Sequence, residues 1–283
     1  MNKLPSDKRA QALQMMAEGV SLRAITRLTS ISRTTLIKLL EDAGEAFSEY
    51  QDRTLVNLPC KRLQLDEAWA FCYAKQKNVA TAKAAPEGAG DIWTWVGLDA
   101  DTKLVVSWYV GSRDGEAAKT FVDDLAPRLA SRVQLTSDGH KPYLEAIEGA
   151  FGSNIDYAML VKVYGPSLEG QRRYSPPECQ GAIKHRVEGK PDPKHISTSF
   201  VERQNLNIRM GNRRMTRLTN AFSKKAANHT HMMAIYFMHY NFVRIHQTLK
   251  VTPAMAARVT SRLWEMSDMV KVLDDWEAAK KVA

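Results

Sequence analysis

Cysteine is nearly missing from this chain: Cys60, Cys72 and Cys179 are the only three in 283 residues. No two of them form a CxxC pair, which argues against a zinc finger or a disulfide framework and leaves reduced, cytosolic thiols as the default. Long apolar runs are missing too. The longest, Met232 to Phe242, is interrupted by His239 and Asn241 and is too short to span a bilayer, so no membrane partner is expected. The opening residues, Met1 to Arg9, contain no apolar core of a signal peptide, so none is expected. Internal repeats are absent. Acid is in deficit: 31 Asp and Glu face 40 Lys and Arg, for a net charge of +9. Essentially all of that excess lies between Val161 and Thr230, and a basic stretch so localised points to a polyanion partner. What remains is ordinary: 44% hydrophobic and 25% charged residues describe a globular chain long enough for one medium domain and a small one.

Periodicity divides the chain. Ser6 to Glu18 reads as a helix that Ser6 can cap, with Ala10, Leu13, Met16 and Ala17 at helical spacing and Gly19 as its stop. Leu22 to Leu28 is a second short helix, and Ser32 caps a third, with Leu36, Ile37, Leu39 and Leu40 apolar. Helix, tight turn and capped helix is the pattern of a helix-turn-helix, which places Arg33, Thr34, Thr35 and Lys38 on a face able to enter a DNA major groove. The same pattern also fits a plain three-helix cap. We expect residues 1–50 to form this all-α domain, and Phe47 to Pro59 to be a polar connector with the linker proper at 51–60. A β-rich block follows. Leu63 to Cys72 alternates, Ile92 to Leu98 and Leu104 to Val110 form an aromatic-rich hairpin with Trp93, Trp95 and Trp108 in its core, and Gly115 to Ala130 is helical. Val133 to Thr136 is a short buried strand, Lys141 to Phe151 a helix and Ile155 to Val163 a strand. The order β-β-β-α-β-α-β predicts an α/β fold with the mixed sheet of a ribonuclease-H-like core over 61–250. Residues 164–197, rich in Pro and Gly, are expected to be an irregular insertion near the site, whose Lys184, His185 and Lys194 are candidates for DNA contact. Helices are expected from Thr198 onward, with a long one over Phe222 to Arg244, a capped start at Thr252-Pro, and a C-terminal helical tail within 251–283.

Three acids stand out in this frame. Asp66 interrupts a strand, where Asp is depleted. Asp138 ends a neighbouring strand and Glu202 opens a helix. Alone, Asp138 also reads as a turn residue and Glu202 as an acid favoured at a helix start. Together, with the intervening elements in order, they can hold two hard divalent cations roughly 3.5–4 Å apart, the arrangement that cleaves phosphodiesters. The expected cofactor is Mg²⁺, two ions, with Mn²⁺ as a substitute; Asp66 would bridge, and Asp138 and Glu202 would each hold one ion. Strand alternation turns Glu67 away from Asp66, which predicts a structural or hydrogen-bonding role for Glu67. Asn205 and Arg209 fall on the helical face of Glu202. With Arg213, Arg214 and Arg217 they are candidates for contact with nucleic acid, although a solvated basic face has the same composition. His140 reads equally as a helix-start residue or a substrate contact, and His246 as fixing a helix-to-loop junction.

On these residues the chain resembles a DDE transposase of the insertion-sequence-one type. The matching text is Leu65-Asp-Glu-Ala-Trp, Thr136-Ser-Asp-Gly-His, Asp192 through Leu206 around Ser-Phe-Val-Glu-Arg-Gln-Asn-Leu, and Arg217 through Lys225. Tyr240 to Leu249 together with Thr252-Pro-Ala resembles transposases more widely, and the resemblance covers about Leu63 to Arg258. It implies a ribonuclease-H-like fold, metal-dependent cutting at element ends, and joining of 3′-hydroxyls to target DNA. It also implies double-stranded DNA as partner, a homo-oligomer that pairs two ends, and a cytoplasmic, nucleoid-associated location. The metal triad carries over onto Asp66, Asp138 and Glu202. The cysteine-rich zinc motif that members of this group often carry before the helix-turn-helix is missing here. Two other readings share the site: a metal-dependent nuclease that does not join, and a DNA-binding regulator derived from a transposase.

Overall fold

The computed structural model describes residues 3–165, 178–216 and 219–282. The chain begins with three helices, α1 (Ser6–Ala17), α2 (Leu22–Thr29) and α3 (Arg33–Thr54). Pro5 occupies the cap position of α1, so Ser6 is its first helical residue rather than its cap. Gly19 ends it with a φ of 77°, a region open to glycine at no steric cost. Ser32 caps as expected, accepting from the Thr35 amide, and Ser21 likewise caps α2 by accepting from the Ala24 amide. The expected connector from Phe47 onward is instead helical through Thr54. Most of its polar residues form the outer face; Ala43, Ala46, Phe47 and the polar Gln51 continue the buried stripe begun by Leu36, Leu39 and Leu40.

A six-stranded mixed sheet follows, in the order β3-β2-β1-β4-β5-β6. Its strands are β1 (Arg62–Cys72), β2 (Gly90–Asp99), β3 (Val105–Gly111), β4 (Gln134–Ser137), β5 (Asp156–Tyr164) and β6 (Cys179–Glu188). A four-residue helix, α4 (Gln76–Val79), lies between β1 and β2. The first three strands form an antiparallel meander; β4 then pairs parallel with both β1 and β5, through crossovers made by α5 (Gly115–Leu125) and α6 (Pro142–Phe151). This arrangement is compatible with a ribonuclease-H-like core. The sixth strand departs from expectation. β6 lies within the stretch expected to be irregular and pairs antiparallel with β5. Every residue of β6 is exposed, so no buried face forces the apolar alternation that marks a strand in sequence. Pro166, Pro176, Pro177 and Arg217 lie outside the described residues.

The remaining helices are α7 (Ser199–Gly211), α8 (Ala226–Phe242), α9 (Pro253–Ala256) and α10 (Met266–Val282). One face of the sheet packs Leu65 and Trp95 against Phe121 of α5 and Tyr143 of α6; the other packs Ala68, Ala70, Val96 and Leu98 against Val201 and Ile208 of α7 and Phe237 of α8. Of the three hairpin tryptophans, Trp95 is fully buried, whereas Trp93 and Trp108 are half-buried. β3 forms an edge of the sheet, where unpaired backbone groups are a liability. Asn241 of α8 meets it: its amide nitrogen donates to the Val105 carbonyl (2.9 Å) and its oxygen accepts from the Val105 amide (3.0 Å). The Tyr240 hydroxyl donates to the Lys103 carbonyl beside it. Just beyond the same end of α8, the backbone of His246 closes the following turn through bonds with Val251 and Lys250. No helix among the described residues is long and apolar enough to cross a membrane.

The N-terminal helices share a buried cluster with α8 and α10. α3 crosses α8 at Gly44, where a Cβ would overlap the Cα and Cβ of His231. Helix propensity alone makes Gly44→Ala stabilising by about 1 kcal/mol. Overpacking opposes it, with a typical penalty of about 1–3 kcal/mol. The expected result is a net loss of stability, read as a lower urea midpoint for the full chain; a raised midpoint would mean the two helices are free to separate.

Candidate active site

β1 outruns its parallel neighbour. Pairing with β4 covers only Arg62 to Gln64, opposite Gln134 to Thr136, whereas pairing with β2 continues to Cys72. From Asp66 onward the β4 side of β1 therefore borders a crevice at the carboxyl ends of the parallel strands, the place where open α/β sheets bind ligands. Asp138 stands immediately beyond β4. The cleft has a volume of about 880 Å³ and is lined by Asp66, Glu67, Arg113, Asp138, His140, Lys162, Thr198, Glu202, Asn205 and Arg209, among others.

Gln64 aligns one wall. Buried two residues before Asp66 on the same strand face, its side-chain oxygen accepts from the Phe200 and Val201 amides at 2.8 and 3.1 Å. This satisfies two of the donors that open α7 and fixes that helix against β1. The Asn205 amide nitrogen then donates to Asp66 Oδ2 at 2.8 Å, while Asp66 Oδ1 accepts the Glu67 backbone N–H at 2.9 Å. Glu202, one helical turn before Asn205, pairs with Lys162 of β5 and accepts from the Thr198 hydroxyl. Asp138 accepts the His140 amide at 2.9 Å in a tight turn. The His140 ring packs against Trp95 and Tyr143, just ahead of α6, and lines the cleft.

Glu67 has the hydrogen-bonding role expected of it, accepting from Arg113, and also lies close to the other acids. Alternation does place it on the face opposite Asp66, but the crevice admits side chains from both faces. One carboxylate oxygen each from Asp66, Glu67 and Asp138 lie within 4.8 Å of one another, and this is the one such acidic group of three among the described residues. Arg113, between β3 and α5, bridges two of them: its guanidinium is 3.3 Å from Glu67 and 3.6 Å from Asp138. Gln64, Arg113 and Lys162 escape a reading of the sequence because nothing local marks them. Only the register of β1 and the return of β5 bring them to the site.

The electrostatics follow from burial. Asp66 is pushed up to about 6 by burial and then by the Asp138 charge. Glu67 is pushed up to about 7 for the same two reasons in the same order. Burial and then the Arg113 charge lower His140. Asn205 Oδ1 is buried without a hydrogen-bond partner among the described residues, and the Tyr143 hydroxyl faces the Glu67 carboxylate. Hard oxygen donors, crowded negative charge and an unpaired buried acceptor together suit a divalent cation, so this cluster can hold one.

The expected DNA-contact residues divide. Asn205 and Arg209 line the cleft. Arg213 is exposed on the short turn after α7, but Arg214 turns inward and donates to Ser223 Oγ at 3.1 Å. Arg33, Thr34, Thr35 and Lys38 are all exposed on the first turns of α3, with Lys38 paired to Asp42. Lys184 and His185 stand on β6, where the Lys184 ammonium donates to the Pro193 carbonyl, and Lys194 is exposed in the short turn that follows.

No protein-family model matches the chain, and no curated protein sequence matches it. Among solved structures, a piggyBac transposase in a synaptic complex with hairpin DNA aligns with a TM-score of 0.37 and 9% identity, covering 100% of this chain and 74% of that one. An overlap that low leaves the function to be argued from the cleft itself.

The raised carboxylates make a pH prediction. Between the ordinary carboxylate range and about 7, the folded chain holds protons on Asp66 and Glu67 that the unfolded chain has released. Stability contributed by that protonation is therefore lost as pH rises through the window. A divalent cation favours the deprotonated carboxylates, so its stabilising effect grows over the same range. Thermal melting should show a larger Mg²⁺- or Mn²⁺-induced rise in Tm at pH 8 than at pH 5.5; an increment independent of pH would count against these carboxylates as the cation's holders.

Proposed function

We propose that this chain is a DDE-type DNA transposase, which cuts the ends of a mobile element and joins their 3′-hydroxyls to target DNA. The observation that carries the reading is the cleft: Asp66, Asp138 and, on the facing helix, Glu202, at the open carboxyl ends of β1 and β4. The resemblance of the surrounding motifs to insertion-sequence-one transposases supports it. Asp66 and Asp138 are the natural holders of Mg²⁺. Glu202 supplies the third carboxylate of the triad, and Glu67 is a further acid within reach of the first two. Bound there, hard divalent cations would neutralise the phosphodiester and promote attack by an oxygen nucleophile.

The chain's own residues do the rest. Arg113 and Lys162 put positive charge beside the acids, where each is available to a phosphate once a cation takes over its carboxylate partner. Asn205 fixes the Asp66 carboxylate, so its orientation does not depend on the substrate. Arg209 lines the same wall one turn further along α7 and extends the basic track that receives the backbone. The exposed start of α3 is proposed to read the element ends, with Arg33, Thr34, Thr35 and Lys38 toward the groove and residues 1–50 as the DNA-binding unit. Pairing two ends calls for at least two copies acting together on DNA.

A metal-dependent nuclease without joining uses the same cleft, so products separate the two readings. A plasmid carrying the gene's own flanking sequences is incubated with protein in Mg²⁺ or Mn²⁺. Wild type should give joined strands; nicks alone favour the nuclease. Asp138→Asn removes a carboxylate charge with little change of shape, and it should lower cleavage at least about 100-fold while leaving DNA binding within about twofold. Equal cleavage by both proteins would remove the triad, and DNA binding without any cleavage would favour the regulator.

Recognition can be tested apart from chemistry. Arg33→Ala should weaken binding to specific ends by roughly 5- to 100-fold, as expected for loss of a base or phosphate contact, and leave the cation-induced Tm shift intact. Undiminished end binding by this variant would refute the role given to α3.

A further inference from the structure

The strand that carries Glu67 runs on past the cleft to Cys72. Every second residue of β1 faces the same side of the sheet, so Trp69 and Phe71 continue in line from Glu67. Trp93 on β2 is the register partner of Trp69. Nearer the core, Trp95 is sealed by Phe121 and Tyr143. Trp69, Phe71 and Trp93 are instead only half-buried. Phe222, just ahead of α8, extends the row: ring centroids are 5.8 Å apart for Trp69 and Phe71 and 4.7 Å for Phe71 and Phe222, at interplanar angles of 37° and 35°.

Cations accompany the rings. The Lys75 ammonium lies 5.7 Å from the Trp69 centroid, and that of Lys224 lies 4.2 Å from Phe222 and 5.4 Å from Tyr73. At the cleft end the Arg113 guanidinium stands 4.7 Å over Trp93 while also facing Glu67 and Asp138. Lys75, Lys77, Lys83, Lys224 and Lys225 are all exposed around the far end. One acid, Asp91, sits opposite Phe71, and its carboxylate is engaged by the Gln76 amide. A purely structural aromatic cluster has no need of cations over Trp69, Trp93, Tyr73 and Phe222. Rings with interleaved lysines match the two faces of a nucleotide strand, flat bases and charged phosphates.

We propose that this row is a stacking platform for single-stranded DNA running out of the cleft. Unpaired bases lie on Trp69 and Phe71, and Lys75 and Lys224 swing from the rings to the phosphates. A duplex hides its base faces and gains only the charge interaction, so the platform discriminates in favour of unpaired strand. The assignment rests on the DNA-processing reading above and extends it to the form of DNA held beside the site.

Binding is measured by fluorescence anisotropy on the full chain in EDTA, using a labelled oligothymidine of about 15 nucleotides and a duplex of the same length. Trp69→Leu with Phe71→Leu keeps apolar bulk and removes the π faces. It should weaken oligothymidine binding roughly 10- to 100-fold and duplex binding less than about twofold. Lys75→Gln with Lys224→Gln changes only exposed side chains, so it keeps the test valid if the leucine pair fails to fold. It should weaken oligothymidine binding and flatten its salt dependence. Unchanged oligothymidine affinity in the lysine variant, or equal losses for both DNAs in a folded leucine variant, overturns the platform while leaving the transposase reading standing. Failure of the wild type to bind either DNA overturns both.

Discussion

The crowding of like charge at the edge of β1 is the constraint on which the rest of the site depends. Three carboxylates whose oxygens come within 4.8 Å are mutually repulsive, and burial makes the charged state costlier still, as the raised Asp66 and Glu67 pKa values record. A fold keeps such an arrangement only when surrounding structure holds it in place. Here the restraints are specific: Asn205 and the Glu67 amide hold Asp66, the His140 amide holds Asp138, and Arg113 offsets charge between Glu67 and Asp138. Glu202 has its own counter-charge in Lys162. Each restraint comes from a different element, so the cluster ties the helices to the sheet.

Two buried amides do comparable work at longer range. Gln64 fastens the start of α7 to β1, which sets Glu202 and Asn205 at their height above Asp66. Asn241 fastens α8 to the edge of β3, satisfying backbone groups that would otherwise be unpaired. The Tyr240-Asn-Phe segment thus has a structural function: it closes one edge of the sheet. α8 in turn packs on α3 at Gly44 and shares a buried cluster with α1 and α10. The N-terminal helices are therefore joined by their packing to the layer beside the cleft.

Much of this architecture is legible in the amino-acid sequence. Asp66 stands out because a strand interior disfavours Asp, and the order of strands and helices predicts a mixed sheet with Asp66 and Asp138 on neighbouring strands. Periodicity misleads in two places. It cuts α3 short because the outer face of that helix is polar, and it misses β6 because a fully exposed strand carries no apolar alternation. The nearness of Glu67 to Asp66 and Asp138 escapes the sequence for a different reason. Alternation correctly assigns a side chain to a face, but it cannot say where a neighbouring strand ends and so whether the two faces still differ.

The sequence by itself determined which residue types were available and where along the chain: acids in a strand, after a strand and at a helix start, basic charge concentrated in the second half, and caps that open helices. These are properties of neighbours in the chain, and local sterics and hydrogen bonding express them. Only the tertiary structure decided which acids share a cation-sized space, that Arg113 and Lys162 counter them, and that the aromatic row of β1 stays half-open beyond the cleft. Those depend on register and strand length between segments far apart in sequence. There a shift of one residue turns a side chain from one face of the sheet to the other.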